Sequence, residues 1–474
     1  MTLSFDPRTG RQVPAPADST PAEVDAIVDR AALPEVAPAV RAGWLESLAA
    51  ALDAETGRLA TLADEEVALG LPRLTGEAGR AAQALRFYAA TARDGGFLGA
   101  TIETGVPDLR RMGVPLGPVA VFGASNFPFG FGVLGHDTAS ALAAGCPVVV
   151  KAHPAHPRLS ATLADLARTV LPAGAFALVS GFPAGQRLVG RPGIKAVAFT
   201  GSQRGGLALW RLANERDEVI PVFAEMGTVN TAVVTAAGAA ERADAIAAGF
   251  VASFTLGMGQ FCTKPGLLLA PAGAGLPGRV AAALSAAAPR GWLLTAQIAE
   301  AYDGGVSRLL SLGARELSRT PPAATGWSAS AAALSVDARR LRLEPALLEE
   351  CFGPVALVAE YADERELDAV LDVLPGSLAT AVQGAESGDP QMAGLVARLS
   401  RRCGRVVVNG WPTGVAVSRA QQHGGPWPAT TSPAHTSVGG AALQRFLRPV
   451  TFQDVPDEAL PPALRAGNPW GIAR

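Results

Sequence analysis

Short apolar runs alternate with helix-like segments through the middle of the chain, and this alternation restricts the possible folds more than any other feature. The apolar runs occupy residues 119–122, 147–150, 175–179, 196–199 and 219–223. Segments 137–144 and 159–170, which lie between such runs, have helical patterns. Uninterrupted apolar strands separated by helices are typical of a parallel sheet that is covered on both faces. We therefore predict a doubly wound α/β region here.

A second α/β region is predicted after residue 228. Its expected helices are 240–254 and 279–287, and its expected strands are 266–269, 355–358 and 406–409. Before the first region, the alanine-rich segments 20–51 and 59–92 have charged residues at helical spacing and predict several amphipathic helices. The Ala/Ser/Pro-rich stretch 318–333 is interpreted as a loop.

Segments outside the two regions have a β pattern. Residues 101–104 and 109–114 predict a hairpin around the turn Gly105-Val106-Pro107-Asp108. Residues 446–455 predict a late strand, which we expect to pair with the hairpin or with another subunit.

Composition excludes several classes of partner. The chain has 474 residues, enough for about two or three folding units, with 49% hydrophobic residues and a net charge of −2. A charge so close to zero predicts no general attraction for nucleic acid or for an anionic membrane. No segment has the roughly 18 uninterrupted apolar residues of a membrane span, and residues 1–15 do not resemble a secretory signal. The cytoplasm is the expected compartment.

Three polar residues follow predicted parallel strands at the ends where such sheets bind ligands. They are Asn126, Lys151 and Ser202. The turn that contains Gly201 and Ser202 offers a hydroxyl and free amides to a phosphate, although an ordinary Ser N-cap explains the pattern equally well. Lys151 suits ribose hydroxyls or a phosphate. Neither the turn after Lys151 nor the turn around Ser202 carries a GxGxxG fingerprint, and the proline-flanked His153 and His156 are interpreted as loop residues.

The chain has four widely spaced cysteines without a CxxC pair, so no metal site is predicted. Cys262 stands among glycines in the stretch Gly257–Gly266, where tight turns can present a side chain to a pocket. It is interpreted either as a nucleophile or as a small buried apolar residue. Glu225, at the end of another strand, is either a proton acceptor or a receiver of backbone hydrogen bonds.

Six different motifs occur along the chain, and their order and spacing resemble those of a known family. They are Gly123-Ala124-Ser125-Asn126-Phe127-Pro128, Val150-Lys151-Ala152-His153-Pro154, Phe199-Thr200-Gly201-Ser202, Ala224-Glu225-Met226-Gly227, Gly259-Gln260-Phe261-Cys262 and Glu349-Glu350-Cys351-Phe352-Gly353-Pro354. With these motifs the chain resembles the NAD(P)-dependent aldehyde dehydrogenase superfamily over nearly its whole length.

The resemblance implies a role for each matching residue. Cys262 matches the nucleophile, Glu225 the general base and Asn126 the amide that binds the oxyanion. The residues that match cofactor contacts are Lys151 for the adenosine ribose, Ser202 with Gly201 for the pyrophosphate, Glu350 for the nicotinamide ribose, and Phe352 for the aromatic beside that ribose.

The resemblance also implies an architecture of two doubly wound parallel-sheet domains with a small β oligomerisation element. Residues 1–96 and 117–228 are expected to form the dinucleotide-binding domain, and 229–440 the catalytic domain. Residues 97–116 and 441–460 are expected to supply oligomerisation strands, and the protein to be a homodimer or homotetramer.

Three further segments resemble one branch of the superfamily, which contains α-ketoglutarate semialdehyde (2,5-dioxovalerate) dehydrogenases and an NADP-dependent fatty aldehyde dehydrogenase. They are 144–147, 151–157 and Gln422-His423-Gly424-Gly425-Pro426-Trp427-Pro428-Ala429-Thr430-Thr431. We expect a semialdehyde such as 2,5-dioxovalerate as the substrate, with a long-chain fatty aldehyde as the alternative. Pro154 replaces the glutamate with which many NAD-preferring members bind the 2′-hydroxyl, so NADP is favoured over NAD.

Two other functions remain as alternatives. A cysteine acyl-transferase or hydrolase requires a histidine near Cys262. None of the five histidines lies in the six matched motifs except the proline-flanked loop residues, so no histidine is expected there. A non-catalytic binding protein of the same fold is disfavoured by the joint presence of Cys262, Glu225 and Asn126. Lys264 is expected to face solvent. A substrate carboxylate would need an arginine in the tunnel, and neither Arg111 nor Arg419 can be placed there from sequence.

Overall fold

The computed structural model describes residues 3–323 and 325–474, and its N-terminal part is mainly helical. A two-stranded ladder of β1 (Ser4–Phe5) and β2 (Gln12–Val13) precedes the helices α1 (Pro21–Arg30), α2 (Pro38–Val67) and α3 (Leu71–Asp94). Thr20 begins α1 with a capping box, in which its side chain accepts from the Glu23 amide and the Glu23 side chain accepts from the Thr20 amide. The predicted N-terminal helices are therefore present.

The hairpin and the first parallel sheet follow. The hairpin strands are β3 (Thr101–Glu103) and β4 (Leu109–Pro115). The sheet strands are β5 (Val119–Phe122), β6 (Val148–Lys151), β7 (Phe176–Val179), β8 (Ala196–Gly201) and β9 (Val222–Met226). The helices between them are α4 (His136–Ala144), α5 (Pro157–Val170), α6 (Phe182–Gly190) and α7 (Gln203–Asn214).

All neighbouring strands of this five-stranded sheet are parallel, in the order β7-β6-β5-β8-β9. The strand order reverses between β5 and β8, and the crevice at such a switch point is where open α/β sheets bind ligands. Consecutive residues of β5 pack on opposite faces: Val119 and Val121 join one apolar cluster, and Ala120 and Phe122 join another. Burial on both faces explains why these strands are continuously apolar.

The second sheet has seven strands. They and their helices are β10 (Asn230–Val234), α8 (Ala236–Thr255), β11 (Pro265–Pro271), α9 (Leu276–Ala287), α10 (Ala296–Ser311), β12 (Arg315–Arg319), β13 (Ala332–Asp337), α11 (Ala338–Leu343), β14 (Val355–Tyr361), α12 (Glu364–Val373), β15 (Thr380–Gln383), α13 (Met392–Leu399) and β16 (Val406–Val408). The order is β12-β13-β14-β11-β10-β15-β16, with β12 as an antiparallel edge strand.

Four strands of this sheet, namely β10, β12, β13 and β15, were not predicted. The polar residues Asn230 and Thr231 begin β10, and Thr380 and Gln383 bound β15, although both strands are buried throughout. Apolar patterning is therefore interrupted where these short strands make hydrogen bonds inside the protein. Edge strand β12 is polar and partly exposed. The described residues between β12 and β13, 320–323 and 325–331, are largely irregular, which agrees with the predicted loop.

The chain returns to the hairpin near its end. Strand β17 (Leu447–Gln453) pairs antiparallel with β4 in a three-stranded sheet of order β17-β4-β3. This pairing confirms that the tail strand joins the hairpin. The division of the chain into domains at 96, 116, 228 and 440 stays a prediction. Within the described ranges, no helix has the length and apolarity needed to cross a membrane.

Candidate active site

Cys262 lies in a tightly turned segment between α8 and β11. Three consecutive residues of the preceding turn, Gly257, Met258 and Gly259, have positive φ angles of 56°, 56° and 65°. Glycine adopts this left-handed region freely, whereas Met258 is held there at a cost of about 1 kcal/mol. The Asn230 Nδ2 group donates a 2.8 Å hydrogen bond to the Cys262 carbonyl oxygen. The glycines allow the turn, and β10 fixes the cysteine at its end.

A histidine and a carboxylate lie beside the half-buried Cys262 thiol. The Sγ atom is 3.7 Å from His423 Nε2, and that nitrogen is 3.0 Å from Glu225 Oε2. Ser437 Oγ donates a 2.9 Å hydrogen bond to the same carboxylate oxygen. The His423 and Glu225 side chains are only 1% and 3% exposed, so both are shielded from water. The site therefore holds a thiol next to two shielded proton acceptors.

The segment that carries His423 reaches the site by covering the edge of the first sheet. Strand β9 is an edge strand, and its Met226 amide donates to the Ala429 carbonyl oxygen at 2.8 Å. The Ala224 amide donates to Thr431 Oγ1 at 2.9 Å. These bonds hold residues 429–431 beside Glu225. His423 belongs to the same segment and is thereby placed in the site.

The expectation that no histidine lies near Cys262 is wrong. The two residues are 161 positions apart, and only the packing of the tail segment on β9 brings them together. Two signals in the sequence pointed to His423: histidine occurs only five times, and His423 belongs to a segment with a branch resemblance.

The electrostatics of the site keep the thiol protonated at rest. Burial raises the pKa of the Cys262 thiol well above its ordinary value, and the negative charges of Glu225 and Glu350 raise it further. Burial alone would also raise the pKa of Glu225, but the charge of His423 and the hydrogen bonds from His423, Ser437 and Cys262 lower it below its ordinary value. Glu225 is thus ionised while Cys262 is not, and the thiol needs a base to become a nucleophile.

Thiol, imidazole and carboxylate groups are also zinc ligands. One such atom from each of Cys262, His423 and Glu225 lies within 4.8 Å of the others. The donor types therefore suit a metal as well as proton transfer, and the absence of a metal stays a prediction.

Asn126 lies against the peptide that leads to Cys262. Its Nδ2 group donates a 2.8 Å hydrogen bond to the Gln260 carbonyl oxygen, and its side chain is buried. The loop after β5 that carries Asn126 is also held by His156, whose Nε2 atom is 3.2 Å from the Ala124 carbonyl oxygen. The structure thus brings together Asn126, Cys262 and Glu225 from three separate parts of the chain.

The expectation that Lys264 faces solvent is wrong. The residue is 4% exposed, and its Nζ donates to the carbonyl oxygens of Cys351, Gly353 and Val355 at 2.7, 2.9 and 2.8 Å. An ammonium group has three donors, and three carbonyls satisfy them all, which makes its burial tolerable. Burial lowers the pKa of Lys264. The lysine fastens the segment with Glu350 and Phe352 to the cysteine loop.

The predicted cofactor residues on the first sheet lie at its switch point. Lys151 ends β6, and burial lowers its pKa to about 8, with the Asp18 carboxylate acting in the opposite direction. Gly201 ends β8, and Ser202 is the N-cap of α7, with its Oγ accepting from the Gly205 amide at 3.2 Å. Ser202 is exposed, so its capping role leaves the crevice side of the turn accessible. These positions fit the ribose and phosphates of a dinucleotide.

Glu350 approaches this edge from the second sheet. The Gly227 amide donates a 3.0 Å hydrogen bond to the Gly201 carbonyl oxygen, and any side chain at Gly227 would collide with the Glu350 carboxylate. Burial raises the pKa of Glu350 to about 7, and the charge of Lys264 partly offsets the rise. Phe352 is half-buried on the same segment. The Glu350 carboxylate, next to a glycine without a side chain, can accept hydrogen bonds from the two hydroxyl groups of a ribose. These residues are therefore compatible with the binding of NAD(P).

His136, at the first position of α4, gives the protein a titratable group that is neutral when folded. Its Nδ1 atom is 3.0 Å from Tyr88 Oη, and its ring packs 5.0 Å from the Phe131 ring. Phe131 in turn packs 6.0 Å from the His423 ring. Burial lowers the pKa of His136 from 6.5 to about 3, and the neighbouring His423 and Arg445 add to this effect.

We expect the free energy of unfolding to fall as the pH drops from about 6.5 toward 3, because the unfolded chain then binds a proton that folded His136 refuses. His136→Asn keeps an acceptor for Tyr88 and removes this linkage. The pH slope of unfolding, measured by urea denaturation, should decrease by up to about 1.4 kcal/mol per pH unit. An unchanged slope would show that His136 is protonated in the folded protein.

The sequence matches known proteins along almost its full length. The model of the aldehyde dehydrogenase family matches residues 2–276. Alpha-ketoglutaric semialdehyde dehydrogenase 2 from Azospirillum brasilense is 45% identical, over 99% of this chain and 94% of its own length. The alpha-ketoglutaric semialdehyde dehydrogenase from Acinetobacter baylyi is 39% identical, over 92% of this chain and 86% of its own.

Solved structures confirm the predicted aldehyde-dehydrogenase-like fold. The NAD-dependent aldehyde dehydrogenase from Sinorhizobium meliloti has a TM-score of 0.83 at 23% identity, covering 95% of this chain and 91% of that one. A mutant of aldehyde dehydrogenase C from Pseudomonas syringae, in complex with NAD+ and octanal, has a TM-score of 0.83 at 20% identity, covering 95% and 93%. This chain therefore belongs to the aldehyde dehydrogenase family and is an NAD(P)-dependent aldehyde dehydrogenase.

Proposed function

We propose that this enzyme oxidises a semialdehyde, which has a carboxylate at the end opposite the aldehyde, such as 2,5-dioxovalerate, to the corresponding dicarboxylic acid, with Cys262 as its nucleophile. The observation that carries the proposal is the Cys262 thiol 3.7 Å from His423 Nε2, with the Glu225 carboxylate against the same nitrogen and Asn126 against the cysteine loop. The names of the two curated relatives support the substrate class.

Attack begins with loss of the thiol proton. Because the pKa of Cys262 is raised, a base must take the proton as the sulfur approaches the aldehyde carbon. His423 Nε2 is 3.7 Å from the sulfur and 3.0 Å from the Glu225 carboxylate, so the thiol proton passes to the hydrogen-bonded His423–Glu225 pair. The oxyanion that forms is held by the Asn126 side-chain amide and the Cys262 backbone N–H.

The thiohemiacetal on Cys262 then becomes a thioester. Bound NADP or NAD supplies the hydride acceptor for this step. Lys151, Ser202 and Gly201 would hold its adenosine ribose and pyrophosphate, and Glu350 and Phe352 its nicotinamide ribose. The protein contributes the orientation of these groups at the switch point.

Hydrolysis of the thioester completes the cycle. Glu225 has a lowered pKa and is the ionised carboxylate next to Cys262, so it accepts a proton from the water that attacks the thioester carbon. The bond between the acyl carbon and the Cys262 sulfur then breaks, which releases the carboxylic acid. The Cys262 thiolate takes back a proton. His423 and Ser437 hold the carboxylate in reach of both steps.

For the cofactor, we propose that NADP is accepted and favoured over NAD. Pro154 offers no carboxylate to the adenosine 2′ position, and the positive Lys151 lies at the end of the same strand. A 2′-phosphate is attracted by a cation and repelled by a carboxylate, so this composition suits NADP.

The assembly and compartment are also proposals. The three-stranded sheet β17-β4-β3 has β3 as an edge strand with exposed residues, and exposed edges are available for pairing. We propose a homodimer or homotetramer assembled through this sheet. The four free cysteines, with Cys262 required as a thiol, fit the reducing cytoplasm.

His423 also supplies the histidine that a cysteine acyl-hydrolase requires, so ester hydrolysis without cofactor is the second candidate. Membership in the aldehyde dehydrogenase family favours the oxidation. A long-chain fatty aldehyde is the alternative substrate.

The assay that tests the proposal uses purified protein and aldehydes of graded length, with and without a terminal carboxylate, and follows reduced cofactor by absorbance. We expect the largest kcat/KM with a carboxylate-bearing semialdehyde of four or five carbons, and a larger value with NADP than with NAD. Preference for decanal would support the fatty aldehyde instead. Hydrolysis of a p-nitrophenyl ester without any reduced cofactor from aldehydes would favour the hydrolase.

A further inference from the structure

An arginine of α3 lies against both sides of the reactive site. The guanidinium carbon of Arg73 is 4.7 Å from the centre of the Phe261 ring and 5.3 Å from that of Phe127. These two rings pack edge to face, 5.2 Å apart. Phe261 directly precedes Cys262, and Phe127 directly follows Asn126. Arg73 thus contacts the immediate chain neighbours of both the nucleophile and the oxyanion amide.

The guanidinium is only partly satisfied by the protein. Nη2 donates a 2.8 Å hydrogen bond to the Asn126 carbonyl oxygen. Nη1 is buried without a hydrogen-bond partner. Throughout 3–323 and 325–474, no carboxylate oxygen lies within the 4 Å ion-pair distance of Arg73, in contrast to many arginines on the surface.

The acid that acts on Arg73 from a distance is Glu77, one turn further along α3. Its Oε1 accepts from the Phe129 and Gly130 amides at 2.9 and 3.0 Å, so it is committed to the loop after Asn126. Burial raises the pKa of Glu77, which weakens it as a counter-ion. The exposed Arg80 adds a second positive charge near Arg73. Among the described residues, Arg73 therefore has an acid nearby but no carboxylate in direct contact with its guanidinium.

A buried guanidinium with free N–H groups is costly unless an anion pairs with it. The planar fork of arginine matches a carboxylate, which it binds through two parallel hydrogen bonds. We propose that Arg73 binds the distal carboxylate of the substrate and so selects ω-carboxylated aldehydes over uncharged ones. The Phe127 and Phe261 rings contact the methylene groups between the two ends. This inference rests on the proposed function and names the residue that sets its substrate class.

The kinetic test compares succinic semialdehyde with butanal, which has the same carbon number and no carboxylate. Arg73→Met should raise the KM for succinic semialdehyde about 10- to 100-fold and change kcat/KM for butanal less than about threefold. Arg73→Lys should lie between the two, because it keeps the charge and loses the fork. The control is Arg86→Met, an exposed arginine of the same helix that pairs with Asp53 and should leave both substrates unaffected. Equal losses for both substrates in Arg73→Met would overturn the proposal.

A binding measurement separates this inference from the proposed function. Calorimetry with glutarate and with uncharged glutaramide requires no turnover. We expect the wild type and Arg86→Met to bind glutarate at least about tenfold more tightly than glutaramide, and Arg73→Met to lose the difference. If wild-type protein prefers glutarate but oxidises no aldehyde, the proposed function fails alone. If it oxidises aldehydes but binds glutarate and glutaramide equally, the role of Arg73 fails alone, even where Arg73→Met does not fold.

Discussion

Cys262→Ser is expected to lower kcat for aldehyde oxidation by about 10³-fold or more. The hydroxyl keeps the size and hydrogen-bonding ability of the thiol but is a far weaker nucleophile at the pH where His423 and Glu225 operate. The loop that holds residue 262 is fixed by its glycines and by the Asn230 hydrogen bond, neither of which involves the sulfur. Steady-state production of reduced cofactor measures the loss.

The matched control for this prediction is Cys403→Ser. Cys403 is a buried free cysteine whose Sγ donates to the Leu399 carbonyl oxygen at 3.3 Å, a bond that serine can also make. It should retain activity within about twofold. Both variants should unfold at nearly the wild-type temperature. Substantial oxidation by folded Cys262→Ser would contradict the covalent mechanism.

Glu225→Gln is expected to separate the two halves of the reaction. Glutamine cannot take a proton from water, so turnover should fall about 10²- to 10⁴-fold, while one equivalent of reduced cofactor per active site still forms. The amide oxygen can still accept from Ser437, so the local geometry is preserved. Rapid mixing should show a burst followed by a slow steady state, and mass spectrometry should detect the acyl group on Cys262.

His423→Asn is the comparison that assigns the two acceptors. Because His423 Nε2 is the nitrogen 3.7 Å from the sulfur, its loss should slow the burst itself. A slow burst in Glu225→Gln with a normal burst in His423→Asn would exchange the two roles. Equal behaviour of Cys262→Ser and Glu225→Gln in the burst phase would remove the distinction between nucleophile and water-activating base.

The sequence predicted those parts of the site that lie at the ends of apolar strands. Asn126, Lys151 and Ser202 each follow such a strand, and parallel strands place their carboxyl ends at one edge. The local sequence pattern was therefore enough to predict that these three residues lie at the same edge of the sheet. The sequence pattern predicted fewer strands of the second sheet. The strand that begins at Asn230, for example, starts with polar residues that hydrogen-bond inside the protein.

Residues that reach the site through tertiary packing could not be predicted from local sequence patterns. His423 arrives because the segment around Ala429 covers the edge of β9. Arg73 arrives from the N-terminal helices because α3 packs beside the loop after β5. Lys264 turns inward because three carbonyls of a distant segment converge on its ammonium group. In each case the partner that decides the position of the side chain is far away in the chain.

Those three carbonyl contacts of Lys264 have a mechanical consequence. The lysine is two residues beyond Cys262, and the carbonyls it binds flank Glu350 and Phe352. These three hydrogen bonds therefore connect the cysteine loop directly to the segment that contains Glu350 and Phe352. Displacement of either segment must displace the other, so the position of Cys262 is mechanically linked to that of Glu350 and Phe352.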